Sequence, residues 1–388
     1  MKVLYFPNVV PFEGSNRSLL TLMKCLRVHG VEPFVCLHKS GPLINELEKE
    51  NIPYRVIRAG CWLKRAQPSF SEFCVDLTKR CIKSILNPIA EIKIANLIKN
   101  EHINLVHINT IGGGTGAKAA HKAEIPVVWH IRELLDEHFG LDFYNRRLAC
   151  ELIQKSGRII AISDTVLSKY SSLLRKGNLI KLYNGIDINS YIIKNRKILS
   201  GEIPVLSLVG RIEPGKGQLT ALEAADIIAN QKKVNFELHF YGRIDDSCYE
   251  KTLLDFIESN NLTRYVKMHG FTDNVRSVLE STDISLVCSK AEAFGRVTVE
   301  AMLGGTLVIG NNSAGTAELI RNGITGFKYC SGSPESLAEK ILYAIENPKK
   351  AREIALTGQS YMEKNMTAEQ NAAAILKVYN QLVKKCDN

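Results

Sequence analysis

Short runs of apolar and β-branched residues, four to six long, recur along this chain with helical stretches between most of them. A first series falls at 3–6, 34–37, 54–57, 105–109, 127–131, 159–162 and 179–183, and a second at 205–209, 236–241, 266–269 and 284–288. A helix between successive strands leaves no room for hairpins and demands parallel neighbours joined by crossovers. The pattern therefore predicts an α/β chain of parallel sheets with helices on both faces. The polar segment 189–202 separates the two series as a linker, and 388 residues suits two domains better than one. Domains at 1–190 and 203–367 follow, and 334–385 reads as a helical tail.

Composition narrows the class. Hydrophobic residues make up 45% and charged residues 23%, as in soluble globular proteins, and no apolar stretch has the length of a membrane span. The opening MKVLYFPNVVPFEG is broken by two prolines and Glu13, so it reads as a first strand rather than a signal peptide. Ten scattered cysteines with no Cys-x-x-Cys pair argue against a zinc site or disulfide framework and for a reducing, cytoplasmic setting. Charge is uneven: residues 1–194 carry 27 Lys and Arg against 17 Asp and Glu, whereas 195–388 carry 23 of each. A basic N-terminal half implies an anionic partner, and no recognised nucleic-acid motif accompanies it. Between 59 and 100, Trp62, Phe70 and Phe73 interleave with Arg58, Lys64, Arg65, Lys79, Arg80 and Lys83. That mixture fits an amphipathic helix on an anionic membrane or a solvated basic helix pair.

The densest chemistry lies at 289–305, SKAEAFGRVTVEAMLGG. The strand 284–288 precedes it and a small-residue helix follows, so the loop joins a strand's C-terminal end to a helix N-terminus. Ligands of open α/β sheets sit at such loops. The amides of Phe294, Gly295 and Arg296 and the helix dipole favour an anion such as a phosphate. Glu292 and Glu300 flank that position. Two carboxylates around a phosphate site suit a molecule with hydroxyls at both ends and a diphosphate between, the layout of a nucleotide-sugar.

This stretch resembles the signature of the family-4 retaining glycosyltransferases: a Glu, seven residues and a Glu, with Phe-Gly after the first. Glu292, Phe294, Gly295 and Glu300 match in place. The resemblance implies the GT-B fold, two Rossmann-like domains whose parallel sheets face each other across a cleft. The last helix, within 368–388, would pack back on the first domain. Glu292 would contact the donor sugar and Glu300 the ribose. Upstream, 210–217 contains Arg211, Pro214 and Lys216, and the family uses this Arg and Lys to grip the donor diphosphate. Gly242 and Phe271, at the ends of two further strands, would wall the nucleotide pocket. His130 ends the strand 127–131, where the family carries a His that touches the donor sugar, and Arg132 and Glu133 extend the same loop toward an acceptor. The family's Gly-Gly-x-Glu-Arg loop stands here as Glu13-Gly14-Ser15-Asn16-Arg17. Gly14 keeps a backbone amide for the phosphate, and Glu13 resists a positive φ. Residues 112–117, GGGTGA, fit the dinucleotide fingerprint through Gly112, Gly114 and Ala117, but no acidic residue ends the next strand. The fingerprint leaves a Rossmann dehydrogenase as an alternative, and the missing acidic residue favours a generic glycine-rich turn.

The expected protein is thus a metal-independent, retaining hexosyltransferase with a nucleotide-diphosphate-sugar donor and no further cofactor. No Asp-x-Asp motif is present to hold a metal, so Arg211, Lys216 and the amides near Gly295 would neutralise the leaving group. The acceptor would be a saccharide or a lipid-diphosphate-linked sugar in cell-surface polysaccharide or lipopolysaccharide synthesis. The basic domain would meet it at the inner face of the cytoplasmic membrane. A nucleotide-sugar epimerase on the same fold and a nucleotide-sugar-binding protein without turnover are the rival readings.

Overall fold

The computed structural model describes residues 1–7, 11–67, 69–174 and 176–384. Two compact units form: Met1–Gly185 with Ala368–Asn388, and Ile186–Thr367. The first unit contains β1 (Lys2–Phe6), β2 (Glu32–Leu37), β3 (Tyr54–Val56), β4 (Leu63–Arg65), β5 (Leu105–Ile108), β6 (Val127–Ile131), β7 (Leu141–Phe143), β8 (Arg158–Ala161) and β9 (Leu179–Lys181). Seven of these make one sheet in the order β3-β2-β1-β5-β6-β8-β9, every pairing parallel. Both faces are covered, which explains continuous apolar strands such as Val127–Ile131, buried at every residue. On one face Leu105, Val128 and Ile160 pack against Leu19, Leu22 and Leu26 of the helix Gly14–Val28 and against Ile375, Val378 and Tyr379 of the helix Ala368–Val383.

The first helix begins at Gly14, a turn earlier than the apolar spacing from Ser18 indicates. Glu13 is its extended N-cap at φ −116, so the side chain that resists a left-handed loop is spared one. Residues 59–100 hold the short strand β4, paired antiparallel with β7, and then a single helix, Phe70–Asn100, with Pro88 inside it. They do not form a helix pair. Trp62 is not a free aromatic for a membrane interface. Its indole stacks on Trp129 at 5.6 Å, meets Phe143 edge-on, and donates to the Ile111 carbonyl at 3.0 Å. The side chains of Phe70 and Phe73 lie outside the described residues.

The same Trp62 accounts for the glycine run. A Cβ on Gly114 would collide with the Trp62 ring, one on Gly113 with Ile108, and one on Gly116 with the Phe6 ring. The glycines after β5 therefore make room for protein side chains, and the dinucleotide reading loses its basis.

The second unit contains β10 (Val205–Val209), β11 (Glu237–Tyr241), β12 (Val266–Met268), β13 (Ile284–Val287), β14 (Leu307–Asn311) and β15 (Phe327–Tyr329). Their order is β12-β11-β10-β13-β14-β15, all parallel, the doubly wound order in which the chain reverses direction between β10 and β13. Segment 189–202 is fastened to this unit rather than slack. The Leu199 amide donates to Asp283 at 2.7 Å, Arg352 Nε to the Ile198 carbonyl at 2.7 Å, and Arg196 to the Glu280 and Thr282 carbonyls.

Gly114→Ala should destabilise the protein by roughly 1–3 kcal/mol, the usual cost of overpacking a filled site, because the wedged indole cannot retreat. Urea unfolding measures it; an unchanged midpoint would show that Trp62 is free to move.

Candidate functional site

Three loops converge at the C-terminal ends of β10, β13 and β14. The first runs from Gly210 to Gly217, with a 3-10 turn over Pro214–Lys216 that Gly217 ends at φ 75. A side chain on Gly217 would strike the Cys288 carbonyl, so glycine lets this loop lie against the one after β13. The Lys290 amide donates to the Gly215 carbonyl at 3.0 Å, and the Gly315 amide donates to the Glu292 carbonyl at 2.8 Å. These bonds stitch the three loops together at the point where the sheet's connections diverge. Gly295, at φ 88, is the left-handed N-cap of the helix Arg296–Leu303. The hydroxyls of Thr298 and Thr316 lie 3.2 and 3.5 Å from where a Gly295 Cβ would stand.

Charge at this site is already matched. Lys216 Nζ is 2.6 Å from Glu292 Oε1, with both side chains mostly enclosed. Arg296 reaches Glu300 Oε1 at 2.9 Å across one helical turn. Arg211 sits 3.2 Å from Glu213 and 3.8 Å from Asp245. Each pair holds a cation and a carboxylate ready to exchange partners. An ammonium or guanidinium can turn to phosphate oxygens, and a carboxylate with spare lone pairs accepts sugar hydroxyls. Gly242 is spoken for, since its amide donates to the Gly270 carbonyl at 2.8 Å and a Cβ there would strike the Gly210 carbonyl. Phe271 is 68% exposed beside it. Gly14 opens the first helix of the other unit.

In the first unit His130 stands one residue from the end of β6, fully buried. Its Nδ1 lies 3.2 Å from Arg132 Nη2 and 3.3 Å from His107 Nε2, and its Nε2 has no partner among the described residues. Arg132 turns inward rather than toward an acceptor: Nε donates to Asn109 at 2.9 Å and Nη1 to Asn184. Burial and the Arg132 charge hold both imidazoles neutral, well below the usual histidine range. A guanidinium only donates, so His130 Nδ1 is the acceptor and the proton sits on Nε2. His107, Asn109 and Tyr379, and the contact that Asn184 makes, escaped sequence reasoning. They are far apart in the chain, and each alone is an ordinary strand, turn or helix residue.

Glu133 also turns inward, accepting the Ile111 and Arg132 amides at 3.1 Å each. It ties the loop after β5 to the end of β6.

Known proteins resemble this chain in sequence and fold. Residues 12–190 match the family described as Glycosyltransferase Family 4, and residues 192–360 match Glycosyl transferases group 1. An uncharacterized glycosyltransferase of Methanocaldococcus jannaschii is 26% identical over 74% of this chain and 78% of its own length. The capsular polysaccharide biosynthesis glycosyltransferase CapM of Staphylococcus aureus is 26% identical over 59% of this chain and 63% of its own. HepE of Anabaena, solved with UDP, superposes at a TM-score of 0.83 and 25% identity, over 98% of this chain and 100% of that one. HepE has also been solved with UDP-glucose.

Burial pushes the Glu133 carboxyl from 4.5 up to about 7, against the two amide bonds and Arg132, which pull it down. The folded state then holds a proton that the unfolded chain has lost between about pH 4.5 and 7, so this group's contribution to stability falls as pH rises through that window. Glu133→Gln keeps an acceptor oxygen and removes the titration. Its stability relative to the parent should rise by up to about 3 kcal/mol between those pH values and then level off. Urea titrations of both proteins at several pH values test this; a pH-independent difference would refute it.

Proposed function

We propose that this chain, which belongs to the glycosyltransferases of group 1 and family 4 and has their GT-B fold, moves a hexose from a nucleotide-diphosphate-sugar to a saccharide or lipid-linked acceptor, with retention. The observation that carries the reading is the Lys216–Glu292 pair, 2.6 Å apart where the second sheet's connections diverge, beside the N-terminus of the helix Arg296–Leu303. A donor diphosphate would take Lys216 and Arg211 as counter-charges, and the released Glu292 would accept a sugar hydroxyl. Glu300 would accept the ribose hydroxyls. As the anomeric carbon leaves the diphosphate oxygen and bonds to an acceptor hydroxyl oxygen, negative charge grows on the leaving group, and the hydroxyl's proton ends on the released diphosphate. The two cations then strengthen their hold, and protein charge takes the place of a metal. In the first unit His130 Nε2 would donate to a substrate oxygen. The complexes of HepE with UDP and UDP-glucose support a nucleotide-sugar donor.

The fate of a donor panel in excess EDTA tests this. Acceptor-dependent sugar transfer is expected; conversion of donor with no acceptor would mean an epimerase, and no turnover of any donor a binding protein. Lys216→Ala should lower kcat/KM by about 10- to 150-fold, the loss of one charge-assisted contact of roughly 1.5–3 kcal/mol. Near-parent kinetics would put the phosphate elsewhere.

The acceptor side of the reading is membrane-borne. On the helix Phe70–Asn100, Ile82, Ile85, Ile89 and Ile92 are 48–68% exposed. Their spacing of three and four places them on one face. Lys79, Arg80 and Lys93 are exposed on the same helix, while its Glu91 is buried and paired with Lys122 at 2.6 Å. Among the helix's described side chains the outward surface is therefore apolar and positive, and no helix among the described residues is long and apolar enough to cross a membrane. Such a face suits a helix lying in an anionic lipid surface; a second copy would bring like charges together. The protein should sediment with anionic vesicles and be released by salt, and Ile85→Glu with Ile89→Glu should abolish binding. Equal binding to neutral vesicles, or self-association lost in the same variant, would overturn the lipid assignment.

A further inference from the structure

His130 does not stand alone at the end of β6. Tyr5 of β1, His107 of β5 and His130 of β6 project from the same face of the sheet, the one covered by the helix Ala368–Val383. Tyr379 of that helix brings its hydroxyl to 2.6 Å from His107 Nδ1, in a wholly buried contact, and the Tyr5 hydroxyl is 3.5 Å further along. His107 Nε2 in turn faces His130 Nδ1 at 3.3 Å.

Proton positions in this row follow from donor capacity alone. Arg132 has only protons to offer, so His130 Nδ1 presents its lone pair. Opposite that lone pair His107 Nε2 must carry a proton, since two lone pairs would repel. The other nitrogen of His107, Nδ1, is then an acceptor, and Tyr379 gives it its single hydroxyl proton at 2.6 Å rather than giving that proton to the Tyr5 oxygen at 3.5 Å. Every bond points the same way, from the last helix through His107 to His130, and the row ends on His130 Nε2–H, buried without a described protein partner.

We infer that Tyr379 and His107 are positioning residues that hold His130 as the Nε2–H donor, so that the returning C-terminal helix sets the hydrogen-bonding character of the sugar-facing histidine. The inference rests on the reading that His130 meets the substrate. It assigns Tyr379 a task that packing does not require: a phenylalanine would fill the same space and leave His107 without its donor.

Histidine 15N spectra of the whole enzyme without substrate read the tautomers directly, with His130→Gln assigning the signal. In the parent, His130 and His107 should both be neutral and protonated at Nε2. In Tyr379→Phe, His107 should show both tautomers, and kcat should fall about tenfold, the scale of one buried hydrogen bond, while the donor KM changes less than about twofold. A parent spectrum with His130 protonated at Nδ1 overturns the inference without any variant. So does Tyr379→Phe with unchanged tautomers and kcat. Full turnover by His130→Gln, with the parent spectrum as expected, overturns the substrate-contact reading instead.

Discussion

Parallel strands cannot be joined by a tight turn, and that restriction organises both units. Each strand must be followed by a crossover before its neighbour begins, so every strand ends at the same edge and delivers a loop there. Where the crossovers part to opposite faces, two adjacent loops leave in different directions and a crevice remains between them. In the second unit this happens between β10 and β13. Lys216 and Glu292, 76 residues apart, meet there at 2.6 Å. The glycines at 217 and 295 permit the approach, one by making room for the Cys288 carbonyl and the other by turning the chain into a helix at φ 88.

Charges enclosed at such a place need partners, because an unpaired ion out of water costs several kcal/mol. Lys216, Arg211, Arg296, Glu292 and Glu300 all have them within the protein. A site kept in this condition is stable without a ligand, and a ligand that bound there would exchange partners rather than bury bare charge. The first unit meets the same demand with neutral groups. Burial keeps His107 and His130 uncharged beside Arg132, whose guanidinium is met by Asn109 and Asn184. Both solutions hold polar groups in place without leaving a charge bare.

Much of this was legible in the residue order. The alternation of strand and helix signals dictates parallel sheets because hairpins are excluded. The spacing of Glu292, Phe294, Gly295 and Glu300 marks a strand-to-helix loop, since local chemistry at a helix N-terminus depends on neighbours in the chain. Other features needed the folded chain. Trp62 reads as an interfacial aromatic beside basic residues, yet it is an interior wedge, because Trp129 and Phe143 arrive from strands some 70 to 80 positions away. The run at 112–117 matches part of a dinucleotide fingerprint, yet its glycines answer to Trp62, Ile108 and Phe6. Local sequence determines which backbone shapes a segment can adopt. What occupies the space beside it depends on strand order, and so the partners of His130, the inward turn of Arg132 and Glu133, and the exposed isoleucine face of the helix Phe70–Asn100 were decided only when the chain closed on itself.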